Sequence, residues 1–489
     1  MKYFTQILLL FFIITLNCNA QNNPDIKRTM HWYFGEGAGI DFSSGTAVAD
    51  TNGQMNRLEG CAAISDTDGN LLFYTDGLTV WNKNHQIMPN GFDLMATGTP
   101  RQSSIIVPKP GSDSLYYIFT IDGFEFGGVK GLRYSEVDIT LDNGLGNITT
   151  KNISLFEPNA EILAAVKHAN CEDIWVMAHE RYNNCFRAYL VTSNGVNTMP
   201  VINCIGDAGP YSPYGYMAKF SPDGSKLVTT VPAPLDSLQQ LDGKYTVELY
   251  HFDNTTGILS DKIVILPTDT FTALGSFSPD NLKFYITTIN IDTPEYVYQY
   301  NLSVWDSSSV AMSKTLITCT SEYNNYFDFQ ITPNHKIIIA RYDLDSVAVI
   351  NNPNATGLAC DFVNSGLSLN GKKGYIGLPI FIESYFDTIT CFTGLKENNV
   401  AKGQFSIYPN PFTKSTTVII SYEGNSPENL KIELFDILGK KHRILKTGII
   451  YNNDDIEIQI NRGNLVNGMY LLRLQIGNQI FSQKLILTN

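Results

Sequence analysis

With 489 residues the chain exceeds one ordinary domain, and length alone points to roughly two to four. Hydrophobic residues make up 43% and charged residues 17%, which fits folded domains with sizeable cores and excludes a disordered chain. The net charge is −13, and residues 403–489 hold nine Lys/Arg against seven Asp/Glu, so the acidity lies ahead of them. An acidic surface argues against a nucleic-acid partner, whose phosphates need Lys and Arg to displace their counterions.

Lys2 precedes an apolar run, Ile7–Leu16, that is too short to span a bilayer. Small residues follow at Cys18-Asn19-Ala20, so residues 1–20 read as a signal peptide cut after about Ala20. Asn17 ahead of Cys18 fits a lipobox poorly. No later run is apolar enough for a membrane helix. Export permits disulfides. The remaining cysteines are Cys61, Cys171, Cys185, Cys204, Cys319, Cys360 and Cys391, with no C-x-x-C pair to hold zinc. Cys171 and Cys185 flank Ile174–Glu180 at a spacing that suits a hairpin, and they are the expected disulfide.

A unit recurs along the chain. Its clearest copy is Met217–Val231, two short apolar runs joined at Ser221-Pro222-Asp223-Gly224. Equivalent first strands end near Ile64, Val107, Val166, Phe277 and Ile331, and a repeat of roughly 40–60 residues built of short strands points to a propeller. Third and fourth strands follow most pairs, among them Val247–Phe252, Ile258–Leu266 and Val310–Thr318. Trp32–Phe34, Gly39–Phe42 and Gly377–Phe386 remain over, and strands from both ends joining in one blade would close the ring. The expected fold is all-β: a seven-bladed propeller over residues 21–386. Six or eight blades would also fit the spacing. A polar linker, 387–404, leads to a β-sandwich over 405–489, where IELFDI and IEIQI alternate as half-buried strands do.

Trp32–Phe42, Leu58–Trp81, Val166–Glu180 and Val349–Asn354 resemble the WD-repeat-like propeller modules of secreted Bacteroidota proteins. The tail carries FSIYPNPF, ELFDILGKK, NLVNGMYLLRLQIGN and SQKLIL in that order. It resembles the type A C-terminal sorting domain of the type IX secretion system. That resemblance implies an Ig-like module read by the outer-membrane translocon and removed by a sorting-domain peptidase, with the cargo released or attached at the surface. Tyr408, Pro409, Asn410, Pro411, Asp436, Gly439, Gly468, Tyr470 and Lys484 fall on its motif positions.

Chemistry is sparse. The histidines are isolated; His168 and His179 share a hairpin across which they could face each other, but satisfied or exposed histidines are the expectation. Asp66-Thr67-Asp68-Gly69-Asn70 resembles a calcium loop but lacks the distal Glu and sits where other repeats have a plain turn. No catalytic set, cofactor fingerprint or metal site is read. The loops leading into the inner strands rim the channel, and there Arg57, Glu59, Arg101, Gln102, Glu161, Tyr214, Tyr216, Tyr323 and Asn325 are the expected ligand-binding residues. Tyrosine with mixed charge suits sugars or peptides. The expected protein is therefore secreted or surface-attached and binds a glycan or protein partner, and is more readily a binder than an enzyme. A hydrolase or lyase sited in the channel and an adhesive surface component are the alternatives.

Overall fold

The computed structural model describes residues 23–98, 100–123, 127–206, 217–232, 245–268, 271–289, 294–320, 326–387, 403–422, 427–436, 440–451, 454–476 and 479–488. The chain divides into two compact units, Met1–Thr390 and Cys391–Asn489.

The first unit is a succession of antiparallel sheets, each built from consecutive strands. β1 (His31–Phe34), β2 (Ala38–Asp41) and β3 (Val48–Asp50) form the first, and β4 (Ala62–Ser65), β5 (Leu71–Thr75) and β6 (Val80–Asn82) the second. The third holds β7 (Ser104–Pro108), β8 (Leu115–Thr120), β9 (Leu132–Asp138) and β10 (Asn147–Phe156). The fourth holds β11 (Asn159–Lys167), β12 (Ile174–Glu180), β13 (Cys185–Thr192), β14 (Gly195–Val196) and β15 (Val201–Cys204). β16 (Met217–Phe220), β17 (Lys226–Pro232), β18 (Tyr245–Asp253) and β19 (Ile258–Thr268) follow. Then come β20 (Phe271–Phe277), β21 (Lys283–Ile289), β22 (Glu295–Asn301) and β23 (Thr315–Thr320). The last sheet is β24 (Phe329–Ile331), β25 (Ile337–Ile339), β26 (Ser346–Ile350) and β27 (Phe362–Ser368).

One turn recurs between first and second strands. Ser221 and Lys226 close it (N–H to C=O, 2.9 Å), Gly224 N–H returns to Ser221 C=O (2.8 Å), and Gly224 has φ +69°. Ser278–Lys283 and Thr332–Lys336 repeat the pattern, with Asn281 and His335 at positive φ. Asn281 Oδ1 also accepts from Asp223 N–H (3.0 Å), and Asn354 Oδ1 from Asp280 N–H (3.1 Å), so turns bond to the following sheet as well as within their own. At Asp66 the carboxylate accepts from the N–H groups of Asp68 and Asn70 (both 2.9 Å) and from the Asn70 amide, which makes that stretch one more such turn.

Each sheet buries its faces against its neighbours, because a small twisted sheet cannot cover itself. Ile64, Phe73 and Ile118 fill one such interface, Phe220, Trp175 and Tyr250 another, and Val228, Phe277 and Tyr300 a third. One further cluster joins the last sheets to the first two through Ile337, Ile350, Trp32 and Tyr74, so the succession closes on itself as a β-propeller.

The axis is filled by the chain itself. Beyond β27 the segment 376–387 runs parallel to β4 and β11, with bridges Cys61/Pro379 and Ala165/Ile382. Ile376 N–H bonds Leu58 C=O (2.8 Å), Ile380 N–H bonds Cys61 C=O (2.9 Å), and Leu378 N–H reaches Asp328 Oδ2 (3.2 Å). Lys167 N–H donates to Ser384 Oγ (2.9 Å), and Asn23 Nδ2 to Ser384 C=O (3.0 Å). A short segment that touches the innermost strands of several different sheets lies inside the ring. Leu378, Ile380, Phe381, Ile382, Glu383, Ser384, Tyr385 and Phe386 are all buried. This axial strap corrects the expectation that Gly377–Phe386 adds a blade strand: β1 and β2 pair with β3 instead, and the strap seals the hole.

Further corrections are local. Val310 belongs to a short helix, Ser307–Met312, N-capped by Asp306, and the strand begins at Thr315. Cys185 is bonded to Cys204, its direct partner in the β13–β15 register, and not to Cys171. Cys171 and Cys185 lie at opposite ends of β12, and a strand rises about 3.3 Å per residue, so flanking it keeps them apart. Cys171 is in a disulfide with another partner. His168 and His179 are likewise separated by the length of β12: His168 bonds Thr255 C=O (3.0 Å), and His179 is buried edge-on to Phe186.

The second unit contains β28 (Gly403–Tyr408), β29 (Ser415–Tyr422), β30 (Glu428–Asp436), β31 (Lys441–Ile450), β32 (Asp454–Asn461), β33 (Gly468–Ile476) and β34 (Gln479–Leu487). Sheets β28-β29-β32 and β31-β30-β33-β34 share one core that includes Val418, Ile432, Leu472 and Leu485, which makes a sandwich. β31 was not expected from the sequence, because most of its residues are exposed and no sustained alternation marks it.

Phe381 packs on Trp32 and Phe386 (ring centroids 5.7 and 5.9 Å). Phe381→Ala is expected to cost about 3–5 kcal/mol in denaturant unfolding. Leu358→Ala, at a residue 77% exposed, is expected to shift stability by no more than about 0.5 kcal/mol. A proteolytic map of the unreduced protein is expected to yield a Cys185–Cys204 cross-linked peptide and none joining Cys171 to Cys185.

Candidate functional site

Among the described residues, the loops that lead into β4 and β7 lie together where the strap begins. Arg57 and Glu59 precede β4, Arg101 and Gln102 precede β7, and Glu161 lies near the start of β11. Two hydrogen bonds bring the first two loops together, one between backbone groups and one from a side chain. Gly60 N–H bonds Pro100 C=O (3.2 Å), and Ser103 Oγ donates to Gly60 C=O (2.9 Å). Gly377 of the strap passes directly beneath; a Cβ there would stand 2.4 Å from the Glu59 carbonyl oxygen, so only glycine fits.

The rim residues are used differently. Arg57 Nε is 2.6 Å from Asp76 Oδ2, an ion pair with Arg57 partly exposed. Glu59 and Arg101 are half-buried at the mouth, while Glu161 is buried. Gln102 is buried too, and its amide is spent on backbone: Nε2 donates to Ala218 C=O (2.6 Å) and Oε1 accepts from Ala218 N–H (2.9 Å). That double bond from the third sheet to β16 makes Gln102 a scaffold residue. Tyr214, Tyr216, Tyr323 and Asn325 lie outside the described residues.

Below the mouth is a charged cluster that sequence reasoning missed. Lys219 of β16, Asp328 and Gln330 at β24, and Glu383 of the strap are all buried. Lys219 Nζ donates to Phe329 C=O and to Gln330 Oε1 (3.0 Å) and lies 3.6 Å from Glu383 Oε1. Burial pushes the Glu383 carboxyl up to about 7, against the pull of Lys219. Burial also raises the Asp328 carboxyl, and Lys219 and Arg101 draw it back. The thiol of Cys61 is pushed well up by burial and by the nearby Asp328 and Asp76. Nothing in the sequence places these residues together, since Lys219, the Asp328–Gln330 pair and Glu383 come from two different sheets and the strap. At the far end of the strap, Lys167 and Arg28 hold the Asp25 carboxyl below its usual range despite burial.

In the sandwich, the lead-in to β29 is tied to the last strand. Asn410 Oδ1 accepts from Ile486 N–H (2.8 Å), Phe412 N–H bonds Ile486 C=O (2.9 Å), and Thr416 Oγ1 donates to Pro409 C=O; Pro411 sits within this clamp. Asp436 accepts from Lys440 N–H (2.9 Å) and pairs with His442 (3.1 Å). Tyr470 is buried and its hydroxyl donates to Val466 C=O (2.8 Å). Gly468 opens β33, Lys484 stands opposite Leu471, and Tyr408 is 79% exposed. Gly439 lies outside the described residues. A family model, "Secretion system C-terminal sorting domain", matches residues 406–488. Residues 406–488 are a type IX sorting domain. The sorting domain implies export across the outer membrane and contact with the type IX machinery.

No curated protein matches the chain. Among solved structures, a putative 6-phosphogluconolactonase from Bacteroides fragilis is similar at 12% identity and TM-score 0.43, over 72% of this chain and 97% of that one. A putative 6-phosphogluconolactonase from Bacteroides uniformis is similar at 14% identity and TM-score 0.42, over 70% and 98%. Virginiamycin B lyase from Staphylococcus aureus is similar at 11% and 0.34, over 66% and 91%. The propeller assignment stands on this chain's own sheet order, and no activity of these proteins transfers to it.

Gln102→Ala is expected to orphan the Ala218 N–H and C=O and cost about 2–4 kcal/mol. Arg101→Ala is expected to cost at most about 1 kcal/mol in the same unfolding measurement.

Proposed function

We propose that this is an exported recognition protein: a seven-bladed propeller, one blade per sheet, that binds a glycan or protein partner at its axial mouth. The signal peptide is removed after about Ala20, the type IX system carries the chain across the outer membrane, and a sorting-domain peptidase then acts on residues beyond the propeller. The observation that carries the binding role is the filled axis. A hydrolase or lyase sited in the channel would need room for substrate, and the strap occupies that room with buried side chains. Recognition then falls to the rim, where Arg57, Glu59 and Arg101 are partly open to solvent. Tyr214, Tyr216, Tyr323 and Asn325, which lie outside the described residues, complete the proposed binding set. A flat tyrosine face with charged neighbours suits a sugar ring or an extended peptide.

The address and the ligand are tested separately. Removal of residues 405–489 is expected to leave the propeller in the periplasm; surface display of the truncated chain would overturn the export reading. On a combined glycan and peptide array the exported protein is expected to give a defined set of hits, each weakened at least tenfold by Arg101→Ala. Hits unaffected by Arg101→Ala would move recognition away from the mouth.

A further inference from the structure

The strap closes the ring through a site with an uneven count of charges. Glu383 and Asp328 bring two carboxyl groups into the axis against one ammonium, Lys219, and their side chains are almost wholly buried. Asp328 is well provided for as an anion: Oδ1 accepts from Phe329 N–H (2.8 Å) and Oδ2 from Leu378 N–H (3.2 Å). Arg101 adds a positive charge on its side. Glu383 is less well provided for. Its Oε1 stands 3.6 Å from Lys219, the Gln330 side chain adds a further favourable contact, and its Oε2 is buried with no partner. An anion left so in a dry site is costly, and a proton removes the cost.

We propose that Glu383 holds one exchangeable proton in the axis of the propeller, so that the strap is tight under acidic conditions and loosens as the pH rises to neutral. The other titratable and charged groups around the strap do not replace that proton. Cys61 ahead of β4 is a buried thiol, and Glu161 of β11 is a buried carboxyl on another inner strand. At the far end Asp25, Arg28 and Lys167 pair among themselves beside Tyr385 and Tyr116. The charges that act on Glu383 are Lys219 and Asp328.

The sign follows from linkage. Released from the ring, Glu383 returns to an ordinary carboxyl near 4.5, whereas burial holds it near 7 in the closed strap. Between those values the closed state binds a proton that the open state lacks. The strap's stability is therefore full below the lower value and is lost as the pH rises towards the upper one. A single proton limits the effect to about tenfold per pH unit.

The test is hydrogen exchange of peptides spanning 376–387 in the full chain, corrected for intrinsic rates, between pH 5 and 8. In the wild type, protection of the Leu378 and Ile380 amides is expected to fall about ten- to hundredfold across that range. In Glu383→Gln, where the amide mimics the protonated acid, it is expected to stay within about twofold. Equal pH dependence in both, or none in the wild type, overturns the proposal. Lys219→Met supplies a second arm, because removing the ammonium makes ionisation of Glu383 harder and should move the loosening to higher pH. A transition that stays in place in Lys219→Met also overturns it.

Discussion

A ring of sheets leaves a hole, and the way this chain fills it governs everything near the axis. The inner strands present backbone and side chains that need partners, and the strap supplies both. Its N–H groups bond Leu58, Cys61 and Asp328, and its side chains enter two of the inter-sheet cores. Fully burying one large apolar side chain contributes about 1.5–3 kcal/mol, and a whole domain keeps only about 5–15 kcal/mol of net stability. Burial of Leu378, Ile380, Phe381, Ile382 and Phe386 together is therefore comparable with the net stability of a whole domain. The strap is thus part of the propeller's core, although it follows the last sheet in sequence.

The same constraint shapes the described part of the mouth. Among the described residues the strap fills the space between the innermost strands with buried side chains. Gly377 shows how closely strap and rim fit, since no side chain is tolerated beneath the Glu59 carbonyl. Of the rim residues, Gln102 is committed to Ala218 and Arg57 to Asp76, whereas Arg101 is half-buried and acts on the scaffold through its charge beside Asp328.

Much of this was legible in the sequence, because the repeat has local causes. Ile64, Val107, Val166, Phe220, Phe277 and Ile331 all fall in first strands, since an apolar run ending in a turn with Gly, Asn or Asp carries its own signal. The strap does not. GLPIFIESYF reads as a strand by every local measure, and only contacts with Cys61, Ala165 and Lys219, far away in the chain, make it axial. The buried charges are hidden for the same reason: Lys219, Asp328 and Glu383 are unremarkable singly and meet only when the ring closes. The cysteine pairing went astray over direction. Two residues flanking one strand lie a strand's length apart, while Cys185 and Cys204 lie on adjacent strands in register. In the sorting domain the motif residues with a folding task, Asn410, Asp436 and Tyr470, are explained by their bonds, whereas exposed Tyr408 has no such task.

The position of the strap also orders the folding of the chain. Asn23 meets Ser384 across 361 positions, so the N-terminal turn, the strap and the ring can be completed only together. Contacts this distant carry a large loop-closure cost before they return any stability, and such topologies fold slowly. Until residues 376–387 arrive, the sheets face an open axis with the Lys219 ammonium bare of its acidic partner. The last segment of the propeller is therefore the one that seals it, and it leads straight into the connector that carries the sorting domain. A chain that has not yet placed its strap has an unfinished propeller on one side of that connector and a self-contained sandwich on the other. The propeller and the sorting domain consequently depend on two cores that share no residue.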